Sequence, residues 1–127
     1  MILEVDAGNS RIKWRTWLDG QVNARGVTAK DRLGQWLDSM DADVQPEKIR
    51  IACVGDQTVV SAVMEKADQW GCPCLVASTS KSVAGVQCGY LDASALGVDR
   101  WLALVAAYKQ LGKACLVVDM GTAITLD

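Results

Sequence analysis

One phrase occurs twice in this 127-residue chain, and it limits what the chain can fold into. Residues 1–14 read MILEVDAGNSRIKW, and residues 113–127 read KACLVVDMGTAITLD. Each is an apolar run closed by Asp, one further residue, Gly and a small polar residue. Aligned, they share Leu3, Val5, Asp6 and Gly8 with Leu116, Val118, Asp119 and Gly121. A short apolar run bounded by a turn signal reads as a buried strand, and a buried strand requires a sheet covered by other elements. Gly permits a tight turn or a close backbone approach where a side chain would collide. Each phrase therefore aims a carboxylate at the edge of a buried sheet, beside a turn.

The residues between the two copies supply the rest of such a sheet. Residues 11–18 alternate, with Ile12, Trp14 and Thr16 on one face and Arg11, Lys13 and Arg15 on the other, which is strand periodicity. Asp19-Gly20 signals a hairpin, and 22–27 reads as a third strand. Residues 31–40 place Leu33, Trp36, Leu37 and Met40 on one helical face. A strand at 48–54 is followed by a helix at 57–70 with Val59, Val60, Val63, Met64 and Ala67 inward, and by a short strand at 73–77. Residues 81–93 are poorly patterned and read as a loop holding one short strand. Residues 98–111 form the clearest helix, with a stripe of Trp101, Leu104, Val105, Tyr108 and Leu111 and Gly112 as its C-cap. Residues 115–118 then begin a new buried strand. The order β-β-β-α-β-α-β-α predicts an α/β fold with a mixed sheet and helices packed against it. The remaining aromatic residues, Trp17, Trp36, Trp70 and Tyr108, read as core.

Composition removes several function classes. Half the residues are apolar and 22% are charged, as in a globular domain, and the net charge of -2 gives no electrostatic case for nucleic acid. No apolar run approaches the roughly 20 residues of a membrane span, and the N-terminus lacks a signal-peptide pattern, so the expected location is the cytoplasm. Five cysteines, with no CxxC pair and no histidine, read as reduced, buried thiols rather than a zinc site. The absence of histidine excludes a Ser-His-Asp triad or an HExxH metal site within these residues. A carboxylate is then the expected proton acceptor.

Turns of the repeated kind suit phosphate oxygens. Backbone N–H groups and small hydroxyls at Gly8, Asn9 and Ser10 can hold them, and Lys13 on the basic face of the next strand adds a point charge. Thr122 takes the place of Asn9 in the second copy. Asp6 and Asp119 would hold a cation, directly or through water, because a polyphosphate needs its charge neutralised. There is neither a GxxxxGK[ST] nor a GxGxxG motif. A third stretch, YLDASALGVDRW at 90–101, places Asp99 and Arg100 in the first turn of the long helix. The helix dipole favours a carboxylate there, and Arg100 offers a bidentate fork for a substrate carboxylate; taken alone, the stretch reads better as an ordinary Asp–Arg pair on a solvated helix start.

Taken together, DxGNSxxKW at the start, LGVDRW in the middle and DMGTAxTxD at the end resemble the type III pantothenate kinase family of the actin-like, Hsp70 and sugar-kinase superfamily. The resemblance covers the whole chain, and LGVDR is its most specific element. It implies two ribonuclease H-like lobes with ATP in the cleft between them, the first at residues 1–112 and the start of a second at 113–127. The repeated phrase would then open each lobe with a phosphate-holding hairpin. It further implies ATP-dependent phosphorylation of the primary hydroxyl of pantothenate, the first step of coenzyme A synthesis, by a homodimer. Carried over by position, Asp6, Ala7, Gly8, Asn9, Ser10, Arg11, Ile12 and Lys13 form the first phosphate segment, and Thr122 belongs to the second. Asp119 matches the site of an activating monovalent cation, potassium or ammonium, and Asp6 would meet magnesium through water. Asp99 matches the catalytic base, and Tyr90, Gly97, Val98, Asp99 and Arg100 match pantothenate-binding positions.

Members of a two-lobed family are about twice this length, so the sequence reads as an N-terminal portion, with its tail from residue 113 either poorly ordered or paired with another chain. Two other classes compete with a kinase. A non-catalytic accessory protein of the same fold has no need for Asp6, Lys13, Asp99, Arg100, Asp119 and Thr122 together. A ribonuclease H-like nuclease needs clustered carboxylates around two metals, and the net charge and the GNS turn count against it.

Overall fold

Alternation builds the first strands. In β1 (Ile2–Ala7), Leu3, Val5 and Ala7 are buried while Ile2, Glu4 and Asp6 are only partly covered. In β2 (Arg11–Leu18), Ile12 and Thr16 are buried and Trp14 is half-buried. Asp19 and Gly20 both adopt positive φ, 51° and 77°, the mirror-image turn whose twist matches an antiparallel pair. β3 (Gln21–Ala29) follows, with a register shift at Thr16/Trp17. Thr16 stays satisfied there, its hydroxyl oxygen accepting the Ala24 N–H at 3.1 Å. Across β2 and β3, Trp14 lies opposite Gly26, and its ring stacks on Trp36 with centroids 5.6 Å apart.

The computed structural model describes residues 1–40, 45–121 and 123–127, which cluster into two units, Met1–Ala77 and Ser78–Asp127. In the first unit a single 3-10 turn at Lys30–Arg32 leads into α1 (Leu33–Ser39), so the helix expected over 31–40 is divided in two. β4 (Lys48–Cys53) runs parallel to β1. α2 (Gln57–Trp70) starts at Asp56, whose side chain accepts the Thr58 N–H, and stops at Gly71 in the left-handed region. β5 (Cys74–Val76) pairs parallel with β4, which gives a five-stranded mixed sheet in the order β3-β2-β1-β4-β5. Its core joins Leu3, Val5, Ile12, Ile49 and Ile51 of the strands to Leu37, Val60 and Val63 of the helices.

The inward face of α2 departs from expectation at one position. Met64 is exposed, whereas Lys66 and Trp70 are buried. The Lys66 stem lies along the apolar stripe, and its ammonium meets Asp38 at 3.1 Å and the Trp70 ring at 5.5 Å. Trp17 also leaves the core reading: it donates to Glu4 at 2.7 Å beneath the Arg15 guanidinium. Glu4 collects Arg15 and Arg50 as well, at 2.6 and 3.3 Å. Burial pushes its carboxyl up, but the hydrogen bonds from Trp17 and Arg15 hold it below its ordinary value.

In the second unit, residues 81–93 contain a hairpin, β6 (Ser82–Val83) with β7 (Val86–Gln87), where one short strand was expected. Ala84 and Gly85 make the turn with positive φ, and the Tyr108 ring lies over Gly85. α3 (Val98–Leu111) has the predicted bounds and ends at Gly112 with φ 66°. Trp101 is buried with Leu96 and Cys88, while Leu111, assigned to the stripe, is exposed. The tail differs most from expectation. β8 (Val118–Met120) pairs antiparallel with β9 (Ile124–Leu126), and Val117 and Asp127 exchange two backbone hydrogen bonds of 2.9 and 3.0 Å beyond it. The tail therefore pairs with itself. Val118, Met120, Ile124 and Leu126 remain exposed, so the strand expected at 115–118 is displaced and is not buried.

Candidate functional site

The first phrase forms the β1–β2 hairpin. Asp6 sits opposite Lys13, with 4.0 Å between carboxylate oxygen and ammonium. The Gly8 N–H donates to the Arg11 carbonyl at 3.0 Å, so this donor closes the turn and is not presented to a ligand. Asn9 and Ser10 are exposed at the tip and carry the remaining donors. Ala7 and Ile12 are fully buried, so only their backbones can serve a site, while Arg11 is exposed.

A second loop reaches this tip. The Val54 N–H bonds to the Ala7 carbonyl at 2.9 Å, extending the parallel β1–β4 pairing. Gly55 then turns with φ 92°, and a Cβ there would stand 3.5 Å from the Asn9 side-chain oxygen. Asp56 follows as the cap of α2, held below the usual carboxylate range by hydrogen bonds from Thr58. The carboxyl ends of β1 and β4 and the start of α2 thus converge beside Asn9. Gly55 was not singled out from the sequence; its one signal was a Gly between a strand pattern and a helix pattern.

In the second unit the LGVDR stretch starts α3. The Thr79 hydroxyl donates to the Leu96 carbonyl at 2.8 Å and fixes the approach to the helix. Gly97 is the N-cap, with φ -53° and ψ 136°. The exposed Asp99 carboxylate accepts the Arg100 N–H at 2.8 Å, and a Cβ on Gly97 would lie 2.7 Å from the same oxygen. Val98 is buried, so its side chain is core. Arg100 turns its fork onto Asp127: Nε donates to Oδ2 at 2.8 Å, and Nη2 to Oδ1. This hydrogen-bonded pair raises the Arg100 pKa and lowers that of Asp127, and the Tyr90 hydroxyl faces the same guanidinium. The bidentate edge foreseen for a substrate carboxylate is thus held by a residue of the chain itself. Tyr90 and Asp127 also line an open, mostly apolar cavity of about 420 Å³, with Cys88, Leu96, Trp101 and Leu104.

The second phrase forms the β8–β9 hairpin, with Asp119 opposite Thr125 and the Gly121 N–H donating to the Ala123 carbonyl at 3.0 Å. Both copies therefore close a hairpin through the Gly N–H, and both place the Asp in the paired part of the first strand. Asp119 is exposed. Thr122 lies outside the described residues. Among the described residues, no group of three or more Cys, Asp or Glu side chains gathers as a metal cluster. No described helix is long and apolar enough to cross a membrane.

Comparison with known proteins matches residues 2–127 to a family model described as type III pantothenate kinase. A type III pantothenate kinase of Pseudomonas aeruginosa strain LESB58 is 44% identical over 130 residues, covering 100% of this chain and 52% of the relative. Relatives of the same name from Alkalilimnicola ehrlichii and Azotobacter vinelandii are 39% and 38% identical, over 98% and 100% of this chain and 52% of each relative. The chain spans about half the length of the curated relatives it matches.

Proposed function

The chain belongs to the type III pantothenate kinase family, and from that premise we propose that it supplies the first ribonuclease H-like lobe, and the start of the second, of an enzyme that transfers the ATP γ-phosphoryl group to the primary hydroxyl of pantothenate. The observation that carries the proposal is the family match along residues 2–127 together with Asp99 standing exposed in the first turn of α3. The sheet order β3-β2-β1-β4-β5 supports the reading of a ribonuclease H-like lobe; its bounds, 1–112 with 113–127 opening the second lobe, are taken from the family resemblance.

Asn9, Ser10, Arg11 and Lys13 bind phosphate oxygens at the tip of the β1–β2 hairpin, and Thr122 does so in the second phrase. Asp99 orients the pantothenate hydroxyl and accepts its proton as the new P–O bond forms and ADP departs. The transition state of phosphoryl transfer is loose, so the hydroxyl need not ionise early, and a carboxylate serves as a late acceptor. Most of the acceleration then comes from alignment and charge neutralisation. Tyr90 and the 97–100 backbone hold pantothenate. Asp6 and Asp119 present carboxylate oxygens, the hard donors that magnesium and potassium or ammonium take. Asp6 would meet magnesium through water and Asp119 the monovalent cation; such cations neutralise phosphate charge when bound. The enzyme works in the cytoplasm as a homodimer.

The test is pantothenate-dependent ADP formation, with magnesium and potassium, by the 127-residue chain and by the same reading frame extended past Asp127. Turnover by the extended protein supports the proposal. Turnover by neither removes it and brings the non-catalytic accessory reading to the front.

A further inference from the structure

Asp127 was given no role by the motifs, yet its carboxylate takes the two-point edge of Arg100. Its side chain is only 9% exposed and that of Arg100 27%. A carboxylate covered to this degree needs its charge matched, and a planar fork matches both oxygens at once. The direction of Asp127 is set from the backbone: its N–H and carbonyl both bond Val117, at 3.0 and 2.9 Å, just past β9. Arg100 meets Asp99 through its main chain instead, its backbone N–H donating to the Asp99 carboxylate at 2.8 Å. Asp127 and Tyr90 both stand on the wall of the 420 Å³ cavity. One carboxylate just past β9 thus holds the guanidinium of Arg100, the residue that follows the proposed base in the first turn of α3.

We infer that Asp127 is a positioning residue, holding the Arg100 guanidinium so that its remaining N–H donors meet the oxygens of an acidic alcohol bound beside Asp99. Asp127 engages two of the five N–H groups an Arg carries, and the substrate uses others. Arg100 is therefore an oriented donor rather than a free fork, and a substrate carboxylate does not displace Asp127. This rests on the kinase reading above.

Two measurements test it. In the 127-residue chain, the Arg100 Nε–H proton is expected as a resolved, slowly exchanging NMR signal that Asp127→Asn abolishes. In the extended reading frame, Asp127→Asn is expected to raise the pantothenate KM roughly tenfold while the ATP KM stays within twofold, and Asp127→Glu to recover part of the loss. Equal rises in both KM values, or a lower melting temperature with unchanged kinetics, would make the pair structural and overturn the inference. A fall in pantothenate KM would mean that Asp127 competes with substrate, and would overturn it too. An absent NMR signal in the wild-type chain removes the pair itself. Absence of any pantothenate turnover by the wild-type extended protein removes the kinase reading, and the positioning role with it, whatever the NMR result.

Discussion

Replacing Gly97 by Ala separates folding from catalysis at the start of α3. The backbone there, φ -53° and ψ 136°, is ordinary for Ala, so the change brings no conformational strain. Loss of glycine freedom in the unfolded chain should add about 0.4–1 kcal/mol of stability. The new Cβ, however, would stand 2.7 Å from the Asp99 Oδ1, where ordinary contact begins at 3.4 Å. The obstacle is the tip of a flexible side chain, so the carboxylate retreats by about 0.7 Å and the fold stays. That retreat strains the 2.8 Å bond to the Arg100 N–H and moves the proposed proton acceptor off its line. A misplacement near 1 Å costs on the order of 100-fold, so the expected fall in kcat is about 30-fold, or roughly 2 kcal/mol of barrier. Steady-state kinetics of the extended protein, beside its thermal melting curve, read both quantities. Wild-type kcat with an intact fold would refute the role of Asp99 orientation. A collapse of melting temperature would refute the claim that only a side-chain tip is in the way.

Other perturbations address the β1–β2 hairpin tip and the core of the first unit. Asn9→Ala and Ser10→Ala should each raise the ATP KM about fivefold, roughly 1 kcal/mol for a lost hydrogen bond, and leave the pantothenate KM alone; unchanged ATP KM would remove the tip from the phosphate site. Gly26→Ala places a Cβ 2.6 Å from the Trp14 ring, which Trp36 pins from its other partner position, so urea unfolding should show a loss of about 1–3 kcal/mol. Glu4→Gln should destabilise at neutral pH by about 1–2 kcal/mol through lost charge-assisted bonds to Trp17, Arg15 and Arg50. The folded pKa of Glu4 lies below its ordinary 4.5, so this stability is present above 4.5 and fades as pH falls through the depressed value. The wild-type and Gln variants should converge in acid, and a gap that persists there would contradict the assignment.

Strong periodicity carried the legible part of the fold. The bounds of α2, α3 and β2 follow from apolar spacing, although single positions depart from it: Met64 and Leu111 are exposed and Lys66 is buried. Tertiary partners decided the rest. Lys66 reads as a surface residue until Asp38 and Trp70 are seen to take its ammonium, while Met64 lies exposed. The apolar run at 115–118 resembles a buried strand, yet the pairing belongs to Val118–Met120 with Ile124–Leu126, and one-sided pairing leaves the apolar side chains outside. Near the site, the placement of Asp99 and Arg100 in the first turn of α3 was legible from the helix pattern, while the roles proposed for them come from the family resemblance. The use of the Arg100 fork was not legible, since Asp127 lies 27 residues away and nothing in its motif points back to the start of α3. Gly8 likewise has a partner that its motif does not announce: its N–H closes its own hairpin on the Arg11 carbonyl.

The most direct test of the central claim is the identity of the product. Pantothenate and ATP incubated with the extended reading frame, magnesium and potassium should give, by phosphorus NMR and mass spectrometry, a phosphomonoester on the primary hydroxyl of pantothenate in step with ADP. ADP accompanied only by inorganic phosphate, or unchanged pantothenate, would contradict it.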